Sequence, residues 1–360
     1  MLGKQQEYKL GVWLRQRYND SVISNGYNPK NVLVNSSDID RCLMSAELVL
    51  AGLFPPSKEE MWNNLNLKWQ PIPVHTIPNE YDNTLYQGTP CERYEEEIRL
   101  LNDSPELQAL YMEHKDLFDY ASSHSGYTMS PDNVFDAVKF LLRLYDVLFI
   151  ESLKNLTIPF WTEKIYPEPL KSVASLRFNL LSYTHEMQRI KGGPLLGSIV
   201  KDMQMKRDVN FKQTLHLYSG HDTTISSLLC TLGVYNSIAP PYSSSVIFEL
   251  RLKENNFIVT MLYRNSTTES PYILKLSDCD EICTLDDFIR LTKEKIPENW
   301  NKECEVSIFE KLYHFNSMYL IVLAFLLGII VAYFIRVHTL RKRRYVQYET
   351  IVNDVLNYHN

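Results

Sequence analysis

The sequence has no internal repeat and no long low-complexity tract, which excludes a solenoid and a disordered linker as descriptions of the whole chain. It has no excess of positive charge: 37 Lys and Arg stand against 43 Asp and Glu, a net −6. That balance argues against general nucleic-acid binding, which needs clustered cations to hold phosphate backbones. No metal-ligand cluster at recognisable spacing is present, and no metal or other cofactor is expected. The opening residues, Met1-Leu-Gly-Lys-Gln-Gln-Glu-Tyr-Lys-Leu10, lack the apolar core of a secretory signal. Cysteine is sparse, six residues, all of them before residue 305.

What is present is an ordinary globular composition, 45% apolar and 22% charged over 360 residues, enough for one large or two modest domains. One apolar run stands out: Met318 to Ile335 carries no charge, and as a helix it would span roughly 27 Å. Arg336 and Arg341 to Arg344 follow it against only Glu349 and Asp354, so the first 316 residues are more acidic than the whole. A basic flank of this kind marks the cytoplasmic side of a membrane span. The expectation is a single-pass type I membrane protein, with residues 305–317 as a stalk, 318–335 as the span and 336–360 as the cytoplasmic tail.

Two features agree with a lumenal or extracellular body. The glycosylation pattern Asn-x-Ser/Thr occurs at Asn19, Asn35, Asn102, Asn155 and Asn265, and all six cysteines precede the apolar run, as an oxidising compartment allows. A lumenal body needs a leader, so the native N-terminus is expected upstream of Met1.

Along the chain, apolar residues fall at helical spacing from Lys9 to Tyr18, before the short strand-like Asn31-Val-Leu-Val34. A helix capped by Asp38 follows, with Ile39, Leu43, Ala46 and Leu50 on one face, closing at Gly52. Residues 57–130 are mixed and Pro-punctuated, with Trp69-Gln-Pro-Ile-Pro-Val-His75 reading as an extended segment at a sheet edge. Helical patterns cover Val134 to Leu153 and Pro169 to Arg189. The alternation then resumes: a helix to about Met205, a strand at Thr214 to Tyr218, a helix closing at Gly233, and a hairpin from Ser244 to Tyr263 turning at Glu254-Asn255-Asn256. The pattern predicts one α/β domain with a mainly parallel sheet, residues 1–56 and 191–304, interrupted by a mainly helical cap at 57–190.

The chemistry-bearing candidates sit at strand-to-helix turns. Ser219-Gly220-His221-Asp222-Thr223-Thr224 lies between the strand at 214–218 and the next helix. A turn there projects side chains from a strand's carboxyl end beside a helix N-terminus, a place that favours anions. An ordinary loop histidine with Asp222 as a helix cap is the competing reading. Arg41 occupies the same kind of position after the earlier strand, where its fork matches phosphate oxygens, unless it merely pairs with Asp38 or Asp40. Two such sites on one parallel sheet share a crevice. The helix terminus is expected to hold the pKa of Asp222 down.

Five segments in order carry a resemblance: Ser37-Asp-Ile-Asp-Arg41-Cys-Leu-Met-Ser-Ala46, Trp69-Gln-Pro-Ile-Pro-Val-His75, Lys191-Gly-Gly-Pro-Leu195, Ser219-Gly-His-Asp-Thr-Thr224 and Tyr263-Arg-Asn-Ser-Thr267. From about Gly3 to about Cys304 the chain resembles the histidine acid phosphatases of lysosomal, prostatic and insect venom type. The resemblance implies hydrolysis of phosphate monoesters through a phosphohistidine, on an α/β domain with a helical cap and without a metal. Residue by residue, Arg41 matches a phosphate-binding arginine. His221 matches the histidine that hydrogen-bonds the phosphoryl group, and Asp222 the acid that protonates the leaving group.

The resemblance also implies disulfides Cys91–Cys304 and Cys279–Cys283, and it allows a homodimer. Cys42 and Cys230 read as buried small residues, a bridge between them being the alternative. Trp161 is either a cap aromatic at the pocket mouth or core packing. Tyr348-Glu-Thr-Ile351 is a tyrosine-based sorting pattern, which fits a lysosomal or cell-surface location.

The family's Arg-His-Gly-x-Arg-x-Pro segment, with its nucleophilic histidine, has no counterpart among the 360 residues. The expectation is therefore an acid phosphatase chain without its signal peptide and catalytic first strand. Its rivals are a catalytically inactive truncated isoform or pseudophosphatase, and a relative acting on lipid, sugar or inositol phosphates.

Overall fold

The computed structural model describes residues 1–24, 26–62, 67–279, 283–306 and 325–342. Residues 1–305 form one compact unit. It opens with α1 (Leu2–Tyr18), β1 (Val32–Ser37), α2 (Asp40–Leu53) and β2 (His75–Ile77). Helices α1 and α2 cross where Gly11 meets Gly52. A Cβ on Gly11 would stand 2.0 Å from the Val49 carbonyl oxygen, and one on Gly52 2.3 Å from that of Tyr8. Only glycine permits backbones to approach this closely. Helix α2 begins at Asp40 behind Ile39, an N-cap residue without a side-chain cap bond. Asp38 is therefore not the cap, and Arg41 falls one residue into the helix.

The cap-forming stretch follows as α3 (Glu92–Asn102), α4 (Pro105–Glu113), α5 (Lys115–Ser125), α6 (Val134–Leu153), α7 (Leu170–Ser175) and α8 (Arg177–Leu180). Phe118, Ala121, Val134, Ala137, Leu141 and Leu170 are completely buried in one apolar cluster of this stretch. Sequence patterning missed α3 to α5, although Ser104 caps α4 by accepting the Leu107 N–H at 3.2 Å, ahead of Pro105 in the first turn. It also joined 169–189 into one helix. The chain instead breaks there into α7, α8 and α9 (His185–Lys191), with the 181–184 turn closed by Thr184, which accepts the Met187 N–H.

The remainder is α10 (Gly193–Met205), β3 (Leu215–Ser219), α11 (Asp222–Leu232), β4 (Ser245–Lys253), β5 (Asn256–Arg264), β6 (Tyr272–Leu274), β7 (Cys283–Thr284), α12 (Leu285–Thr292) and α13 (Trp300–Cys304). The β4–β5 hairpin turns through Glu254 and Asn255, both at positive φ, as a two-residue turn matched to strand twist requires.

Two sheets result. Strands β2, β1 and β3 are parallel in that order, and β4, β5 and β6 are antiparallel with β7 added on β5. The α/β architecture with a parallel sheet is thus present, and β2 places part of the 57–190 stretch in the sheet. Among the described residues, β3 pairs only with β1, and β4 only with β5, so each keeps one open edge. Tyr218 of β3 and Val246, Phe248 and Leu250 of β4 pack against the same apolar cluster, built around α10, α11 and α12.

Disulfides join Cys91 to Cys304 and Cys279 to Cys283. Cys42 and Cys230 are free thiols. Separately, residues 325–342 form a helix that includes Arg336, Arg341 and Lys342. Among the described residues no helix is long and apolar enough to cross a membrane. The first part of the expected span, 318–324, most of the stalk, and Tyr348 with Ile351 lie outside the described residues.

Candidate active site

Strands β1 and β3 run side by side in parallel, with Ser36 opposite Ser219. Their carboxyl ends, and the helices that follow each, therefore open into one crevice. This register is what brings Arg41 beside His221 across 180 residues. An Arg41 Nη2 stands 3.1 Å from His221 Nδ1. The N-termini of α2 and α11 face the same space, and exposed N–H groups there favour an oxyanion.

His221 is the N-cap of α11, and Asp222 is the first helical residue. His221 is held from three sides, two of them on its ring. Its Nε2 lies 3.1 Å from Ser37 Oγ, its backbone N–H donates to Thr224 Oγ1 at 3.1 Å, and the Tyr86 ring stands edge-on with centroids 6.2 Å apart. Thr224 in turn donates to the Leu85 carbonyl at 2.7 Å. Cys42 donates its S–H to the Gly220 carbonyl at 3.2 Å, and Ser219 donates to the Cys42 carbonyl at 2.8 Å. The β1–α2 and β3–α11 turns are thereby tied to each other.

Burial, reinforced by the Arg41 charge, holds His221 down at about 4, so the ring is neutral through mildly acidic pH. Asp222 behaves differently from the sequence expectation. Its carboxylate is solvent-exposed and accepts the Thr223 N–H at 2.7 Å, and the protein crowded around it shifts its pKa upward from the ordinary carboxylate value, against that bond and the Arg41 charge. Helix-terminus stabilisation is real but smaller than desolvation here. Asp146, on α6, is solvent-exposed, and the protein around it followed by the Asp222 charge pushes it up to about 6. A cap carboxyl thus feels the acid at the sheet, a pairing that no sequence spacing announces. Burial pushes the Cys42 thiol up to about 11, so it is no thiolate nucleophile.

The structure brings Arg41, His221 and Asp222 together. Ser37, Thr224 and Asp146 were not singled out from sequence. The first two were legible as hydroxyls flanking the turn motifs. Trp161 is in the cap, stacked on His124 at 5.5 Å and beside Tyr120, partly buried against the cap cluster. Cys42 and Cys230 form no bridge. Of the sequon residues, Asn19 and Asn155 are exposed. Asn35 accepts from His216 at 2.8 Å and Asn102 accepts the Phe135 N–H at 3.0 Å.

A parallel sheet whose strand ends carry an arginine and a His-Asp turn beside helix N-termini is suited to holding an anion. The sequence pattern of the histidine phosphatase superfamily (branch 2) matches residues 1–272, and the chain belongs to that family. It is 37% identical over 310 residues to the lysosomal acid phosphatase of Rattus norvegicus, covering 85% of this chain and 71% of that protein. To the prostatic acid phosphatase of Bos taurus it is 36% identical over 309 residues, covering 85% and 78%. By family it is a phosphoric monoester hydrolase of the acid phosphatase kind. Among solved structures it shares its fold with the phytase of Citrobacter braakii, at TM-score 0.58 and 19% identity over 85% of this chain and 88% of that one. A Hafnia alvei phytase in complex with tartrate gives 0.59 and 16% over 84% and 88%.

Proposed function

We propose that this chain binds the phosphoryl group of a phosphate monoester between Arg41 and His221 and delivers the leaving-group proton from Asp222. The observation that carries this reading is the convergence of the Arg41 guanidinium, the His221 ring and a carboxyl of raised pKa on two adjacent helix N-termini. Arg41 neutralises charge on the phosphoryl oxygens. A carboxyl that stays protonated further above its usual range is the better general acid at mildly acidic pH. Hydrolysis through a phosphohistidine needs in addition the nucleophile of an Arg-His-Gly segment, and none of the 360 residues supplies it. The second reading is a phosphate-binding pseudophosphatase, in which Arg41 and His221 hold the anion without turnover.

The test measures p-nitrophenyl phosphate turnover at pH 5 by the 360-residue chain, with and without an Arg-His-Gly-x-Arg-x-Pro strand fused ahead of it. Turnover that appears with the strand and disappears with Asp222→Asn supports the phosphatase reading. No turnover from the fusion, with inorganic phosphate still bound, leaves the pseudophosphatase reading.

The setting proposed is a lumenal body on a single membrane span at 318–335, in lysosomes or at the cell surface, with Tyr348 and Ile351 as its sorting signal and glycans at Asn19, Asn155 and Asn265. The similarity to lysosomal acid phosphatase supports this setting, as does the basic flank at Arg341 to Arg344.

A further inference from the structure

We propose that Ser37 is a positioning residue whose hydroxyl switches hydrogen-bond direction, letting His221 exchange one neutral tautomer for the other when a phosphoryl oxygen arrives. The inference rests on the reading of this crevice as a phosphate site.

The argument starts from what each partner is able to do. A guanidinium has donors only, so the 3.1 Å contact with Arg41 Nη2 makes His221 Nδ1 the acceptor. The ring is neutral, so its single proton is on Nε2, and Nε2–H donates to Ser37 Oγ at 3.1 Å. Cys42 Sγ lies 3.7 Å from both ring nitrogens, but its proton is committed to the Gly220 carbonyl. With no oxyanion present, both ring nitrogens are therefore engaged inside the protein, and the Nδ1 facing Arg41 carries no proton to offer.

A phosphoryl oxygen reverses the demand at that nitrogen. Arg41 turns its N–H groups to the anion, and Nδ1 then faces an acceptor, so it must carry the proton. The ring still holds one proton, now on Nδ1 instead of Nε2, and the stripped Nε2 needs a donor. A hydroxyl is able to fill both roles, because it has one O–H and two lone pairs. Ser37 is fully buried on β1, so its Oγ is fixed beside Nε2 in both states and water does not replace it. A carboxylate at this place would lock Nε2–H, and an ammonium would lock the other form. A serine or threonine leaves both available.

The experiment records nitrogen-15 spectra of the His221 ring in the full 360-residue chain at pH 6, with and without inorganic phosphate, for the unsubstituted protein, Ser37→Ala and Ser37→Thr. The expected result for the unsubstituted protein and Ser37→Thr is Nε2–H when free and Nδ1–H when phosphate is bound. Ser37→Ala should lose the switch and bind phosphate roughly tenfold more weakly, the effect of leaving one buried polar atom unpaired. Phosphate binding with an intact tautomer switch in Ser37→Ala overturns the role of Ser37 and leaves the phosphate site standing. Failure of the unsubstituted chain to bind phosphate overturns the phosphate site and this role with it. A free protein that already carries Nδ1–H overturns the inference whatever binds.

Discussion

The helical cap and the strand-end crevice are built from opposite materials. In the cap, Phe118, Ala121, Leu141 and Leu170 are wholly buried in an apolar cluster, and Cys91–Cys304 ties the start of α3 to α13 across 213 residues. In the crevice, Arg41, Ser37, His221, Thr224 and Asp222 are polar, and each is held by a hydrogen bond to another element or to its own turn. The cap draws its stability from dispersion and water exclusion. In the crevice the protein surroundings disfavour the charged forms of His221 and Asp222. Changes in the cap should therefore alter stability with little effect on phosphate binding, and changes in the crevice should do the reverse.

The largest effect should come from the staple. Cys304→Ser opens a loop of 213 residues, and chain-entropy arguments put the loss at about 5 kcal/mol, read by urea denaturation under non-reducing conditions. Leu141→Ala should cost about 3 kcal/mol, since it empties a wholly buried position on α6, with phosphate affinity unchanged by calorimetry. A loss of phosphate binding in step with stability would break the comparison.

Arg41→Ala inverts the pattern. The side chain is exposed, so stability should shift by less than about 1 kcal/mol, while phosphate affinity falls roughly 10- to 100-fold. A separate effect should be seen in the pH dependence of Tm. His221 has a folded pKa near 4 against an ordinary 6.5, from burial and then Arg41. Between those values the unfolded chain binds more protons, so this group's stabilisation is complete above 6.5 and is lost as pH falls toward 4. His221→Asn should flatten that part of the profile. For Asp222 and Asp146, both raised, the sign is opposite, and their contribution fades as pH rises through the folded values, near 6 for Asp146.

Local pattern carried a good deal of this architecture. Helix α6 falls on the stretch its periodicity marks, because twenty residues of 3.6 spacing leave no competing period. The hairpin turn at Glu254-Asn255 is equally local. Arg41 and His221 came together in the reading because strand-to-helix turns on one parallel sheet must share an edge. Helices α3 to α5 were illegible for a different reason: sequences such as Glu92-Arg-Tyr-Glu-Glu-Glu-Ile98 have few apolar residues, and their stability comes from tertiary burial of Tyr94 and Leu101. The direction of the Asp222 shift was missed on the same ground. A helix terminus is visible in a sequence, and the protein packed around a carboxyl is not.

The open edge of β3 has a kinetic meaning. In a parallel strand successive amides point to opposite sides, so half of those from Leu215 to Ser219 are locked against β1 and half face outward beside the His221 turn. Amide exchange along this strand should alternate, slow then fast, residue by residue. Any backbone that comes to rest on that edge would silence the fast set, and it would do so beside the turn that carries His221.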